Sequence, residues 1–133
     1  MSYDFQLRVY YEDTDLAGIV YYANYLKFIE RARSEWVRSL GIDQAALKSD
    51  QDLVFVVRRV EADYLAPALY DDVLLVRTIP VKITGVRLEV EQTVLRSETM
   101  LFRSTVTIAM LTSEGKPSRF PADIRTKLMA GSP

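Results

Sequence analysis

The chain of 133 residues contains no cysteine and no histidine. Without cysteine it forms no disulfide and has neither a thiolate nucleophile nor a zinc–thiolate site. Without histidine it lacks the Ser–His–Asp and Cys–His nucleophile systems and every histidine-based metal site. Acid–base chemistry must therefore come from Asp, Glu, Tyr or Lys. A disulfide-free chain fits the cytoplasm, which is the location that we expect.

Nucleic-acid binding and membrane insertion also lack support. The net charge is −1 and no basic stripe is present, whereas phosphate neutralisation needs clustered Lys and Arg. No apolar run approaches the ~20 residues of a membrane span, and the start, Met1–Gln6, does not resemble a secretory signal. With 49% hydrophobic and 26% charged residues, residues 1–133 are expected to form one globular domain.

The apolar periodicity changes from two to 3.6 residues and back along the chain. Alternation over Tyr3–Tyr11 predicts a strand, and the Asp, Thr and Gly of Glu12–Gly18 predict a turn. One long helix is predicted from Asn24, as its N-cap, to Leu40, with Gly41 just past its end. Its apolar stripe consists of Tyr25, Phe28, Ile29, Ala32, Trp36, Val37 and Leu40.

The remaining residues mostly predict strands. A short helical turn is expected at Asp43–Lys48, and Pro121 is expected to begin a short tail. Strands are predicted at Leu53–Tyr64, Asp72–Val81, Val86–Val94 and Met100–Leu111. A long helix beside such a sheet predicts a two-layer α+β fold, with the sheet wrapping the helix. We expect Phe102 and Leu88, or their neighbours, on the outer face of the sheet, part of which a dimer would bury.

The turn after the first strand carries the candidate chemistry. Asp15 lies ahead of Gly18 and of the helix start, which places a carboxylate beside free N–H groups at the positive helix end. Such N–H groups polarise a carbonyl, and the arrangement suits hydrolysis of an activated acyl group. The alternative is that Asp15 only caps a helix or fixes the turn. We interpret Glu12 and Asp13 as solvated turn carboxylates, and expect no metal site.

Two sets of residues resemble a known family. The signature of the 4-hydroxybenzoyl-CoA thioesterase family resembles three short segments: Arg8-Val9, Thr14-Asp15 after a gap of four residues, and Gly18-Ile19-Val20-Tyr21 after a gap of two. The YbgC-like short acyl-CoA thioesterases associated with the Tol–Pal gene cluster are resembled at Tyr22–Arg33, Phe55–Arg58 and Asp63–Ala68. The resemblance extends over about Tyr3 to Arg125. It implies the hotdog fold, in which a curved antiparallel sheet of about five strands wraps one long central helix.

The resemblance also implies an acyl-CoA thioesterase that needs no cofactor. The catalytic carboxylate falls on Asp15, as nucleophile or general base, and the N–H that polarises the carbonyl falls on Tyr22. Gly18 lets the backbone approach the substrate. Many YbgC-like members carry histidine where this chain has Tyr22, but a backbone N–H role survives because every non-proline residue supplies one.

Partners follow from the same resemblance. Family members dimerise through their sheets, often pair further into tetramers, and build each active site from two subunits. We therefore expect a homodimer, and a dimer of dimers as a homotetramer. Thioesters of acyl carrier protein remain an alternative to acyl-CoA, and a non-enzymatic acyl-binding protein or scaffold remains an alternative to both. A hotdog dehydratase is excluded because it relies on a catalytic histidine.

Candidate substrate-binding residues complete the prediction. Tyr25 is a candidate to line the acyl group, with packing in the core or an interface as the alternative, and aromatic and short aliphatic acyl groups both remain open. The phosphates of coenzyme A need cations or free N–H groups. The preferred candidates for this role are Arg58, Thr84 and Arg87.

Overall fold

The computed structural model describes residues 2–130. The helices are α1 (Asn24–Ser39), α2 (Gln44–Gln51) and α3 (Ala122–Ala130). The strands are β1 (Tyr3–Arg8), β2 (Val54–Tyr64), β3 (Val73–Ile83), β4 (Leu88–Arg96), β5 (Thr99–Leu111) and the two-residue β6 (Pro117–Ser118). They form one antiparallel sheet in the order β1-β3-β4-β5-β2, with β6 beside the end of β5. Within the described chain, no helix has the length and apolar character needed to cross a membrane.

Helix α1 lies on the inner face of this sheet, and the predicted α+β arrangement is confirmed. Its predicted stripe is buried from Tyr25 to Val37, and it packs on the inner residues of β1, β3 and β4. The expectation that Phe102 and Leu88 face outward was wrong, since both are buried in this core. Alternation alone does not say which of the two faces a helix covers. The pairing of β4 with β5 identifies the covered face, because Leu88 pairs with Ile108 and Val94 with Phe102, and all four residues are buried.

The two ends of α1 are fixed differently. The helix ends at Ser39, and Gly41 lies just past its end, as predicted, with φ of 80° in the left-handed region that favours glycine. At the start, Asn24 is not the N-cap, because that position belongs to Ala23 and no side chain caps the helix. Instead, Asn24 Nδ2 donates to the carbonyl of Asp13 at 2.9 Å. The amide therefore ties the helix to the preceding loop.

Helix α3 replaces the tail that was expected after Pro121. Pro121 directly precedes the first residue of the helix, and its carbonyl accepts a hydrogen bond from the N–H of Arg125 at 2.9 Å. Ile124 and Leu128, one turn apart, are its buried residues. The short helix predicted near residue 43 is present as α2, where Asp43 caps the start.

A buried polar cluster joins α1 to the sheet. Gln92 lies fully buried in β4, and its Nε2 donates to the carbonyl of Ile29 at 2.8 Å and to Thr78 Oγ1 at 2.9 Å. Its Oε1 accepts from Arg33 Nη1 at 2.9 Å. Burial lowers the pKa of the Arg33 guanidinium, and the nearby Glu30 carboxylate partly opposes that shift. The helix is thus held by specific hydrogen bonds as well as by its apolar stripe.

Strand β2 forms an edge of the sheet that α1 leaves uncovered. It pairs with β5 on one side, and no strand within residues 2–130 pairs with its other side. On its inner face, Val57, Val60 and Tyr64 are 46%, 38% and 48% exposed. An open strand edge with an apolar row beside it can pair with a further strand, which would extend the sheet and cover the row.

Candidate active site

Asp15 lies in a closed turn that follows β1. Its N–H donates to the carbonyl of Ile19 at 2.9 Å, and the N–H of Gly18 donates back to the carbonyl of Asp15 at 3.0 Å. Gly18 has φ of 78°, so the turn requires the conformational freedom of glycine there. A bridge between Thr14 and Val20 closes the base of the turn. The turn therefore fixes Asp15 at its first position, next to that bridge.

The Asp15 carboxylate is exposed, and the described part of the chain hydrogen-bonds only one of its two oxygens. Its Oδ1 accepts a hydrogen bond from the N–H of Ala17 at 2.9 Å, which orients the side chain. Within residues 2–130, its Oδ2 has no hydrogen-bond or ion-pair partner. One oxygen is thus held in place while the other is free for chemistry.

Asp13 contradicts its interpretation as a solvated turn carboxylate. It is only 8% exposed, and its Oδ2 accepts from the N–H of Tyr10 at 2.8 Å. The single 3₁₀ turn over Tyr11–Asp13 folds the carboxylate back onto the N–H at its own start. The carbonyl of Asp13 accepts from the N–H of Tyr21 at 2.9 Å and from Asn24 Nδ2. Asp13 therefore joins the loop to the start of α1, whereas Glu12 is exposed as expected.

The start of α1 presents free N–H groups. Among the described residues, the N–H groups of Tyr22 and Ala23 donate to no acceptor, whereas that of Asn24 donates to the carbonyl of Tyr21 at 2.8 Å. They lie at the positive end of a 16-residue helix. Helix dipoles and unbonded N–H groups favour negative charge at such an end.

A pocket of ≈ 390 Å³ lies between this helix start and the Asp15 turn. Its walls are mainly apolar and aromatic, with the Asp15 carboxylate at one side. Lining residues include Asp15, Val20, Tyr22, Tyr25, Tyr64 and Pro67. Such a pocket, with few polar groups on apolar walls, suits an acyl group.

The aromatic wall is held by stacking and by hydrogen bonds. Tyr25 is buried, stacks on Phe102 with ring centroids 5.0 Å apart, and its Oη accepts from the N–H of Ala68 at 3.0 Å. Burial raises the pKa of Tyr25, so this hydroxyl stays neutral. Tyr64 meets the ring edges of Tyr22 and Tyr25 at centroid distances of 6.1 and 5.4 Å.

The residues predicted to bind coenzyme A lie elsewhere. Thr84 and Arg87 form the β3–β4 hairpin, where the N–H of Thr84 donates to the carbonyl of Arg87 at 2.8 Å. The hairpin follows the end of the eleven-residue strand β3, whereas the pocket lining ends at Pro67, ahead of the start of that strand. Arg58 is exposed at a register shift in the middle of β2. The structure brings together Asp15, Gly18, Tyr22 and Tyr25, and within one chain it leaves Arg58, Thr84 and Arg87 apart from them.

Sequence reasoning missed Tyr64 and the structural role of Asp13. Tyr64 is 42 residues from Tyr22, and its Oη donates to the carbonyl of that residue at 2.9 Å. No local periodicity reports such a contact. The available signal was the position of Tyr64 within the Asp63–Ala68 motif.

Comparisons with known proteins agree with this geometry. The profile of the Thioesterase superfamily matches residues 17–103. An acyl-CoA thioesterase YbgC from Haemophilus influenzae is 41% identical over 125 residues, which are 93% of this chain and 92% of the relative. An acyl-CoA thioester hydrolase YbgC from Escherichia coli O157:H7 is 37% identical over 120 residues, 89% of each chain.

A solved structure shows the same fold. The crystal structure of a probable thioesterase from Bartonella henselae superposes with a TM-score of 0.88 at 43% identity. The match covers 91% of this chain and 100% of that chain. The hotdog architecture expected from the sequence is confirmed.

Proposed function

Since this chain belongs to the thioesterase superfamily and is an acyl-CoA thioester hydrolase, we propose that Asp15 supplies the carboxylate for the reaction. The products are a carboxylic acid and free coenzyme A. The observation that carries the proposal is that Asp15, with one free oxygen, lines the same pocket as Tyr22 with its free N–H. The family resemblance found in the sequence is confirmed.

The reaction needs a charge-stabilising group and a carboxylate. The N–H of Tyr22, together with the helix dipole, stabilises the negative charge that develops on the thioester oxygen. Removing one such donor typically costs about 3 kcal/mol in the barrier. Asp15 either attacks the carbonyl carbon, forming an anhydride and expelling the thiolate, or takes a proton from the attacking water. Neither route requires a histidine.

Thiol release from a panel of thioesters tests this function. The panel contains CoA esters of short and long aliphatic acids and of one aromatic acid, with the same acyl groups on an acyl carrier protein. We expect turnover of CoA esters, and the ranking of kcat/KM identifies the acyl class. A higher kcat/KM for carrier-protein thioesters would assign the carrier protein as the substrate. If no thioester in the panel released its thiol, hydrolysis would be contradicted and the acyl-binding or scaffold alternative would be favoured.

A single turnover in H₂¹⁸O separates the two routes for Asp15. If the carboxylate is a general base, water attacks the substrate and the label enters the product acid. If it is a nucleophile, water opens the anhydride at either carbonyl, and attack at the Asp15 carbonyl is the event that identifies this route. The label then enters Asp15, and the product acid receives an unlabelled oxygen.

We further propose that the chain works as a homodimer joined along β2. An open edge with a half-exposed apolar row favours antiparallel pairing of two copies, which would extend the sheet and exclude water from the row. Since the pocket borders Tyr64 at one end of β2, each site would lie near the interface. Arg58, Thr84 and Arg87 could then bind coenzyme A held mainly by the partner. A tetramer, a cytoplasmic location and a role with the Tol–Pal system are proposed on the family resemblance.

A Val60→Lys variant is expected to be monomeric and to lose most of its turnover. Dimerisation would bury the charge of a lysine on the inner face of the edge strand in an apolar interface. Burying an unpaired charge is costly, so the dimer is destabilised. Sedimentation velocity would give the oligomeric state, and thiol release the activity. Val81→Lys makes the same change at a 45% exposed valine of β3 and should leave both unchanged. A dimeric Val60→Lys protein would contradict pairing through this face.

A further inference from the structure

Tyr64, the last residue of β2, makes a contact that the reaction described above does not use. Its Oη donates to the carbonyl of Tyr22 at 2.9 Å. The ring is fixed by edge contacts to Tyr25 and Phe102, with centroids 5.4 and 5.1 Å away. A phenol ring held on two sides places its hydroxyl at a defined position. The hydroxyl is therefore a fixed anchor for the Tyr22 carbonyl.

Tyr22 depends on this anchor more than its neighbours do. The N–H of Tyr21 donates to the carbonyl of Asp13, and Asn24 donates through Nδ2 to the same carbonyl and through its N–H to the carbonyl of Tyr21. Tyr22 lies two residues before Asn24, the first residue of α1, and its side chain is 62% exposed. Within residues 2–130, the bond from Tyr64 is the one hydrogen bond that Tyr22 makes. Without it, the position of Tyr22 would depend on ring contacts and on its covalent neighbours.

We propose that Tyr64 is a positioning residue for thioester hydrolysis. Its hydroxyl holds the Tyr22 carbonyl, which shares a planar peptide unit with the Ala23 N–H, and so fixes Tyr22 between the two N–H groups, free within the described chain, that meet the thioester oxygen. The inference rests on the proposed function, because it takes the helix start as the place where that oxygen binds. A donor stabilises developing charge only when its direction is fixed before the reaction, since reorientation would consume part of the stabilisation. The hydroxyl of Tyr64 supplies that fixation from a different element of the fold.

The protonation state of Tyr64 suits this role. Burial, with the neighbouring Tyr22 and Tyr25 phenols, raises the pKa of Tyr64. The hydroxyl therefore keeps its proton, and remains a donor, over the whole neutral range. The hydrogen bond would be lost only in alkaline solution, above the range in which an unperturbed tyrosine ionises.

The test is Tyr64→Phe, which keeps the ring in its contacts and removes only the hydroxyl. We expect kcat to fall about tenfold while KM changes less than about twofold, since the lost stabilisation acts in the transition state. The ¹⁵N shift of the Ala23 amide should also change, because that nitrogen is bonded to the Tyr22 carbonyl carbon. Tyr70→Phe is the matched control, as Tyr70 is 55% exposed and packs against Tyr11 outside the pocket.

The outcomes separate this inference from the proposed function. Unchanged kcat in Tyr64→Phe, with active wild type and inactive Asp15→Asn, would overturn the role of Tyr64 and leave the function standing. A lower melting temperature with an unchanged kcat would make Tyr64 structural and would also overturn the inference. A wild-type protein with no turnover would overturn the proposed function and the role of Tyr64 with it. A reduced kcat with an unchanged Ala23 shift would show that Tyr64 acts without this hydrogen bond, and would overturn the inference.

Discussion

Replacing Asp15 with asparagine should leave the protein folded and lower kcat by more than about a hundredfold. Asparagine has nearly the same shape, and its side-chain oxygen can still accept the hydrogen bond that Asp15 Oδ1 receives from Ala17. The turn at Gly18 therefore keeps its geometry. A neutral amide neither attacks a carbonyl carbon nor takes a proton from water, so both proposed routes are lost. Thiol release measures the effect, and circular dichroism checks the fold.

A matched control removes a neighbouring charge without touching the pocket. Glu12 is an exposed carboxylate in the same loop, and Glu12→Gln should retain the wild-type rate. Equal loss in both variants would indicate that the net charge of the loop matters rather than the Asp15 carboxylate. A fully active Asp15→Asn protein would remove Asp15 from the mechanism and leave it the role of fixing the turn.

The second large effect is expected at Gln92, in the interior. Gln92→Leu leaves the buried Thr78 hydroxyl without the Nε2 donor and the Arg33 guanidinium without the Oε1 acceptor. Each buried polar group that loses its partner costs about 1–3 kcal/mol. We expect the free energy of unfolding to fall by about 3 kcal/mol, a large part of the stability of a domain of this size. Urea denaturation followed by tryptophan fluorescence would measure it, because Trp36 lies in the same core.

Gln6→Leu is the corresponding surface change. Gln6 is an exposed residue of β1, and its replacement should alter the free energy of unfolding by less than about 0.5 kcal/mol. If Gln92→Leu were as stable as Gln6→Leu, the hydrogen bonds of Gln92 would contribute nothing to the attachment of α1. Apolar packing would then account for it alone.

The elements that could be predicted from the sequence are those with a strong period. Helix α1 carries apolar residues on every turn, and its end is marked by a glycine with positive φ at position 41. Helix α3 was missed because only Ile124 and Leu128 are buried in it, too few to define a stripe. Pro121 was interpreted as a break, although proline also suits a helix start. Which face of the sheet is buried was not predictable, because alternation is the same for both faces.

The candidate site divides in the same way. Asp15, Gly18 and Tyr22 lie within eight residues of one another, so a local motif could place them together. Tyr64 reaches the site only through the path of β2 and β5, which no local pattern contains. Single surface cations such as Arg58 and Arg87 carry little positional information, because most arginines on a protein surface are simply solvated. Their role in coenzyme A binding stays a prediction.

The hydrogen bonds to the Asp13 carbonyl determine at which stage the catalytic groups lose their conformational freedom. Its carbonyl receives hydrogen bonds from Tyr21 and Asn24, so the loop that carries Asp15 and the first turn of α1 move as one body. The position of the Asp15 loop relative to the helix start is then set in the free protein, and Tyr64 adds the bond to Tyr22. Orienting two reacting groups removes conformational and rotational freedom, which slows a reaction when it must happen during each encounter. Here that entropy is lost once, as the chain folds, and not again with every substrate molecule.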